Sequence, residues 1–592
     1  MTRVIVPSST ELRQMSIGAL TDIAAGIRDF LIESVSKTGG HIGANLGVVE
    51  LSIALHYVFD SPHDRLVFDT GHQGYTHKLL TGRQGLFPTL NQWGGMNRFL
   101  TRQESEHDTI DATHAGTSIS IASGIAWALR MAGSPHHVVA VIGDGSMVEG
   151  LAFEGLNFVA GSGLSLIVVL NDNGMAIAPN VGGIRNLTGG DGWQTRSKSF
   201  FQGLGFEYLA VPDGHDIKAL VTALSEAERR AGPVLVHVKT EKGRGLPCAK
   251  SHPYKMHFSM PFDPKTGAGA SPTVSGRTYA VVAAEELIRS LRTDSQVCVI
   301  NPATPYASSL DALLAEFPDR VFDVGMAEQH AVTMACGLAL EGKKPVVCFQ
   351  TTFMQRAFDQ LLHDACYMNL PVTFLGVRSG FSGYDGPTHH GLYDIPYLRS
   401  FPNMQVMYPL DSQDLRELIS RRLESPSGPM VILYPYESIP QPEPTVGIRE
   451  PDGLSVVAEG RHGIILCLGN RLTAAHQLRV MLSQGHHLDF GLACVRAIKP
   501  LPQKRVIELC ASVQRIVTLE ESALPGGFGS LICETLSDGR VKGSVLRSGV
   551  ADRFVPAGSK EECSKECGLE PYQVLQQIML RWPELANGGE VL

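Results

Sequence analysis

The 592-residue chain lacks any apolar run close to the roughly 18 residues that span a bilayer, so no membrane partner is expected. Its opening, Met1 to Gln14, has neither an apolar signal core nor the bias of a transit peptide, which leads to an expected cytoplasmic location. No long basic block is present. With 50 Lys and Arg against 59 Asp and Glu the net charge is -9, which argues against a nucleic-acid partner. The eleven cysteines are scattered through apolar segments such as Val297-Cys298-Val299, as suits free thiols in a reducing compartment. One close pair, Cys563 and Cys567, has no second pair or histidine cluster beside it and is not expected to hold a metal. There is no short-period repeat. What remains is globular: 43% hydrophobic and 18% charged residues exclude the disordered and fibrous classes. At roughly 100–200 residues per domain, the length implies three or more domains.

Two compositional breaks divide the chain. Residues 258–276 and 438–444 are rich in proline, glycine and small polar residues, and read as linkers. They leave blocks at 1–265, 275–437 and 455–592. Each block alternates short apolar runs with amphipathic stretches. In the middle block, 344–349 and 371–375 read as buried strands; in the last, 463–468 and 515–519 do the same. The fold class expected is α/β, three consecutive domains with mainly parallel sheets.

The most informative stretch runs from Val138 to Asn173. A continuous apolar run, 138–142, suits a strand buried on both faces, and it ends in Gly143-Asp144-Gly145. A second run, 166–170, ends in Asn171-Asp172-Asn173. A lone Gly-Asp-Gly is equally well a plain turn. Two buried strands finishing side by side, one with a carboxylate and one with a carboxamide, make a hard-oxygen site where open α/β sheets bind ligands. Oxygen donors in small number suit magnesium completed by phosphate oxygens. The 29 positions from Asp144 to Asn173 resemble the thiamine diphosphate signature of transketolase-like enzymes. That resemblance implies Asp144, Asn173 and the Met175 carbonyl as magnesium ligands.

In the middle block, Glu328 follows Asp323-Val324-Gly325-Met326-Ala327 and precedes Gln329-His330. A glutamate at a helix start is commonly a dipole partner. A carboxylic acid is also what thiamine diphosphate needs beside its aminopyrimidine, for proton transfer. Downstream, Phe353 in the segment 351–360 offers an aromatic ring for that pyrimidine.

The segments 40–47, 71–75, 143–145 with 171–173, 327–331, 351–360 and 385–389, in this order, resemble the 1-deoxy-D-xylulose-5-phosphate synthase family. The likeness runs from about residue 10 to the end, including 498–501 and 520–522. It implies a transketolase-like fold with a diphosphate-binding domain (1–265), a pyrimidine-binding domain (275–437) and a carboxy-terminal domain (455–592), and a homodimer. It implies thiamine diphosphate and Mg2+ as cofactors, and decarboxylation of pyruvate followed by condensation with the aldehyde of glyceraldehyde 3-phosphate. By the same resemblance His72, His114, Gly143, Asp144, Gly145, Ser146, Asn173, Lys242, Glu328, Phe353 and Arg356 would hold the cofactor. Glu328, His41, His389, Asp385 and His257 would be catalytic, and His41, Gln350, Arg378, Asp385, His389 and Tyr436 would meet substrate. Taken singly, each of these histidines is more commonly structural; it is their place inside the family motifs that points to catalysis.

The chain also departs from the family pattern. Where members carry Arg-Tyr-Pro-Arg-Gly, it reads Leu433-Tyr434-Pro435-Tyr436-Glu437. An arginine that grips phosphate in a bidentate manner is replaced by Tyr436, a single neutral donor. Gln350 stands where members have tyrosine. The loop Thr113-His114-Ala115-Gly116-Thr117-Ser118 has lost two hydroxyls, and the stretch from Met175 to Phe206 is shorter than usual. Arg98 and Arg102 are candidate replacements for the missing cations. Three readings therefore stand: the family reaction; a paralogue passing the two-carbon unit of pyruvate to a different, unphosphorylated aldehyde; and a non-catalytic cofactor-binding relative.

Overall fold

A computed structural model describes residues 6–111, 113–271, 276–443 and 449–587. Parts of both expected linkers, 272–275 and Pro444, lie outside the described residues, as do Met1 to Ile5. The chain divides into two compact units, one of residues up to 273 together with 324–327, the other of 274–323 and 328–592.

The first unit is built on five parallel strands: β1 (Arg65–Phe68), β2 (Val138–Gly143), β3 (Ile167–Asp172), β4 (Glu207–Val211) and β5 (Val234–Lys239), in the order β1-β2-β3-β5-β4. The apolar runs of β2 and β3 are buried along their length, as strands covered on both faces must be. They pair in parallel with Gly143 opposite Asn171, so the two motifs do finish side by side. The long helix Ile17–Thr38 is capped by the Ser16 hydroxyl and ends at Gly39, whose φ is +74°.

The second unit holds two sheets. One contains β6 (Val297–Asn301), β7 (Val321–Asp323), β8 (Lys344–Gln350), β9 (Thr373–Val377), β10 (Gln405–Met407) and β11 (Met430–Tyr434). The other contains β12 (Leu454–Ala458), β13 (Gly463–Cys467) and β14 (Phe490–Val495). After β15 (Ala497–Lys499) it is completed by β16 (Arg515–Ala523) and β17 (Ser544–Val550). Their orders are β15-β10-β11-β9-β8-β6-β7 and β12-β14-β13-β16-β17, parallel except for the pairs β10–β15 and β12–β14. The late segment at 497–499 thus adds an edge strand to the middle sheet.

The stretch 258–271 is less linker-like than its composition suggests. Gly40 and Ser259 exchange backbone hydrogen bonds at 2.9 and 3.0 Å, Phe262 donates to Ser36, and the Phe262 side chain is buried against the helix Ile17–Thr38. Periodicity cannot register such a strap, because one buried phenylalanine and a few backbone bonds hold it.

Candidate active site

The carboxyl ends of β2 and β3 carry the oxygen donors. Asp144 is buried, and its Oδ2 accepts from the Gly174 backbone at 2.8 Å and the Asn180 amide at 2.6 Å. Asn173 Oδ1 accepts from the Met175 N–H at 3.0 Å, which fixes the turn that presents the Met175 carbonyl. Burial, then the neighbouring Asp172, push the Asp144 carboxyl well above the usual carboxylate range. A carboxylate strained in this way, among oxygen donors, suits a small divalent cation, which would relieve the repulsion. The turn admits no side chain at Gly145: a Cβ there would stand 2.6 Å from Ala176 Cα. Gly143 closes β2, and Ser146 is buried at the start of the following turn.

Three predicted histidines, far apart in sequence, come together in this unit. Ring centroids are 5.6 Å apart for His41–His72, 5.5 Å for His41–His257 and 5.1 Å for His72–His257. Asn45 binds two of their loops, donating to the His41 carbonyl at 2.8 Å and the His72 carbonyl at 2.7 Å. Burial, then the Lys242 charge, lower His72 to about 3 and carry His257 well below its ordinary value, so both rings are neutral at pH 7. Lys242 donates to the Ala176 carbonyl at 2.7 Å. Its burial, opposed by Asp144, brings the ammonium down to about 7, so an anion beside it would restore the full charge. His114 sits on a separate loop whose Gly116 and Ser118 N–H groups donate to Asp69. Arg98 packs its guanidinium 4.5 Å over Phe258, whereas Arg102 is exposed.

In the second unit Glu328 is buried as the first residue of the helix Glu328–Leu340. Phe353, from the short helix Thr351–Met354, meets His389 edge-on at 5.5 Å, and Arg356 lies in the next turn. Arg378, just past β9 with a φ of +72°, is committed twice. It donates to Asp385 at 2.7 Å, and its guanidinium lies 4.1 Å over the Tyr436 ring. Gln350 closes β8 and bonds Tyr306. The neighbouring Glu437 is ion-paired with Lys560, which also reaches Glu521 at 3.4 Å. The carboxylate that replaces a family glycine is therefore compensated.

Several positioning residues were not singled out from sequence. Asp172 accepts from His237 at 2.8 Å and Lys239 at 2.7 Å while also taking the Gly174 N–H, so it anchors the turn carrying Asn173. Its place inside the Asn-Asp-Asn motif was the available signal. Asn45 lies in the motif segment 40–47, whereas Asp69 and Tyr306 carried no signal, since their partners lie in distant segments.

The family model described as 1-deoxy-D-xylulose-5-phosphate synthase matches residues 4–190 and 191–240. The transketolase pyrimidine-binding domain matches 275–441, and the transketolase carboxy-terminal domain 453–574. Among curated proteins, 1-deoxy-D-xylulose-5-phosphate synthase 1 of Geobacter sulfurreducens is 40% identical, covering 95% of this chain and 94% of that protein. The synthase of Listeria monocytogenes is 40% identical over 96% and 95%, and that of a Geobacillus strain 38% over 96% of each.

Proposed function

Since the chain belongs to the 1-deoxy-D-xylulose-5-phosphate synthase family, we propose that it decarboxylates pyruvate and joins the remaining two-carbon unit to D-glyceraldehyde 3-phosphate. Near 40% identity over almost the full length favours this reading over a paralogue with another acceptor, despite Tyr436. It uses thiamine diphosphate and a divalent metal, Mg2+. When bound, that cofactor supplies a carbon nucleophile and an electron sink.

The chain's own residues do the rest. Asp144, Asn173 and the Met175 carbonyl would hold the metal, with Lys242, His72, His114, Gly143, Gly145 and Ser146 around the diphosphate. Glu328 would hold the proton at the aminopyrimidine nitrogen, with Phe353 and Arg356 against the ring. His41, His72 and His257 are packed as one apposed set. Two of its rings, His72 and His257, are neutral at pH 7, so they present hydrogen bonds without adding cations. His389 and Asp385 would move protons at the acceptor, beside Gln350, Arg378 and Tyr436. The observation that carries the reading is the pairing of β2 with β3, which sets Asp144 beside Asn173 at one carboxyl edge. The family further suggests a homodimer, and eleven free cysteines fit a cytoplasmic location. Among the described residues no helix is long and apolar enough to cross a membrane.

The test supplies thiamine diphosphate, Mg2+, pyruvate and glyceraldehyde 3-phosphate and follows carbon dioxide and product together. 1-Deoxy-D-xylulose 5-phosphate is expected by mass spectrometry in equal amount to carbon dioxide. Carbon dioxide released without that product would sink the reading.

A further inference from the structure

The loop between β6 and the helix Asp311–Glu316 gathers buried polar groups that no described residue satisfies. Both side-chain atoms of Asn301, the Thr304 hydroxyl and the Ser308 hydroxyl are buried, at 0, 3 and 2% exposure, with no hydrogen-bond partner among the described residues. Buried polar atoms are nearly always paired, because an orphan forfeits its hydration for nothing. Three orphaned side chains within eight positions therefore point to a ligand rather than to chance. The loop is also locked: Ala303 and Ser309 hold φ at +59° and +57°, Ala303 donates to Asp323, and Leu310 to the Pro305 carbonyl. Non-glycine residues stay in that region only where the surroundings enforce it, commonly at functional sites.

Register places this loop on the acceptor side of the sheet. Val299 pairs with Val346 of β8 and with Val321 of β7, so Asn301 continues the face of Val297 and Val299. On the same face of β8, Val346 and Cys348 lead to Gln350, and on β11, Ile432 and Tyr434 lead to Tyr436. Tyr306, from the loop itself, bonds Gln350 and feels the charges of Arg378 and Asp385. The loop thus joins the residues already assigned to the acceptor.

We propose that Asn301, Thr304 and Ser308 form a subsite that binds the acceptor aldehyde through its hydroxyl groups. This rests on the reaction proposed above. A carboxamide offers two donors and an acceptor oxygen, and each hydroxyl both donates and accepts, which matches a ligand hydroxyl. A phosphate only accepts, and would leave Asn301 Oδ1 opposed. Asp323, opposite Asn301 in register, disfavours an anion further, and Arg378 is already engaged by Asp385.

The test uses Asn301→Leu, Thr304→Val and Ser308→Ala, each assayed with pyruvate against D-glyceraldehyde 3-phosphate and against free D-glyceraldehyde. Losing one hydrogen bond raises the aldehyde KM about three- to tenfold with both acceptors. The pyruvate KM and kcat stay unchanged, and Tm holds or rises because an orphaned polar group is gone. Unchanged aldehyde KM values would overturn the subsite, as would a loss confined to the phosphorylated acceptor. A fall in Tm with both substrate KM values rising would mean a structural role instead. Calorimetry of glyceraldehyde binding separates the two readings. A wild type that binds it but forms no product keeps the subsite and overturns the reaction; one that binds none overturns the subsite.

Discussion

At the residue scale, the two carboxyl groups proposed for different work sit in different surroundings. Asp144 is buried, with the Asp172 carboxylate beside it, and is pushed upward, so a bound cation would favour its charged form. Asp144→Ala should weaken Mg2+-dependent binding of thiamine diphosphate by about a hundredfold or more, since even residues behind a metal ligand cost ten to a hundredfold. Calorimetry showing wild-type affinity would remove Asp144 from the metal site. For Glu328 the proposed role is proton transfer instead. Glu328→Gln should keep cofactor affinity while turnover drops by about two to four orders of magnitude, the usual span of a positioned acid or base. The decisive readout is proton exchange at the thiazolium carbon: a mutant that exchanges as fast as wild type contradicts the assignment.

At the element scale, the histidine set depends on a close approach of backbone to backbone. A Cβ on Gly43, in the helix Ile42–Leu46, would stand 1.9 Å from the Lys255 carbonyl oxygen and 2.7 Å from that of Met256. The Gly43 N–H donates to Met256 O at 2.8 Å. Lys255 and Met256 both hold positive φ, +48° and +49°, to aim those carbonyls at the helix. His257 follows at once, with His41 at the start of the helix. Gly43→Ala should therefore cost about 1–3 kcal/mol, as overpacking does, and separate the two imidazoles. Denaturant unfolding gives the first quantity and the pyruvate KM the second; a variant with wild-type stability and kinetics would show that the contact yields freely.

At the scale of the whole molecule, buried histidines govern stability toward acid. His56 Nε2 and His77 Nδ1 lie 2.8 Å apart, and His77 Nε2 reaches Asp108 at 3.1 Å, all fully buried. Burial lowers both histidines, His56 well below 6.5. Above pH 6.5 they are neutral whether the chain is folded or not, and stability does not depend on them. Below it the unfolded chain takes up protons that the folded one refuses, so stability falls with pH, by up to about 1.4 kcal/mol per pH unit for each histidine. Asp108, held low against its burial by His77 and Arg83, keeps its contribution until more acid pH. Tm should drop steadily from pH 7 to pH 5, and less steeply in His56→Gln. A flat Tm over that range would mean that protonation is accommodated inside the fold.

Sequence by itself determined the α/β class and the mainly parallel sheets, and it singled out the candidate metal motif. Those properties live in short apolar runs and in the residues that end them, as with 138–145 and 166–173. Family resemblance also nominated the candidate site residues and marked the loss of arginine at Tyr436. Only the tertiary structure decided which of them meet. The packing of His41, His72 and His257, the capture of Arg378 between Asp385 and Tyr436, and the pairing of Glu437 with Lys560 each join segments far apart in the chain. The orphaned groups of Asn301, Thr304 and Ser308 were equally invisible, because a side chain's lack of partners is a property of everything packed around it. Local periodicity records which face a residue turns inward, and carries no information on what it finds there.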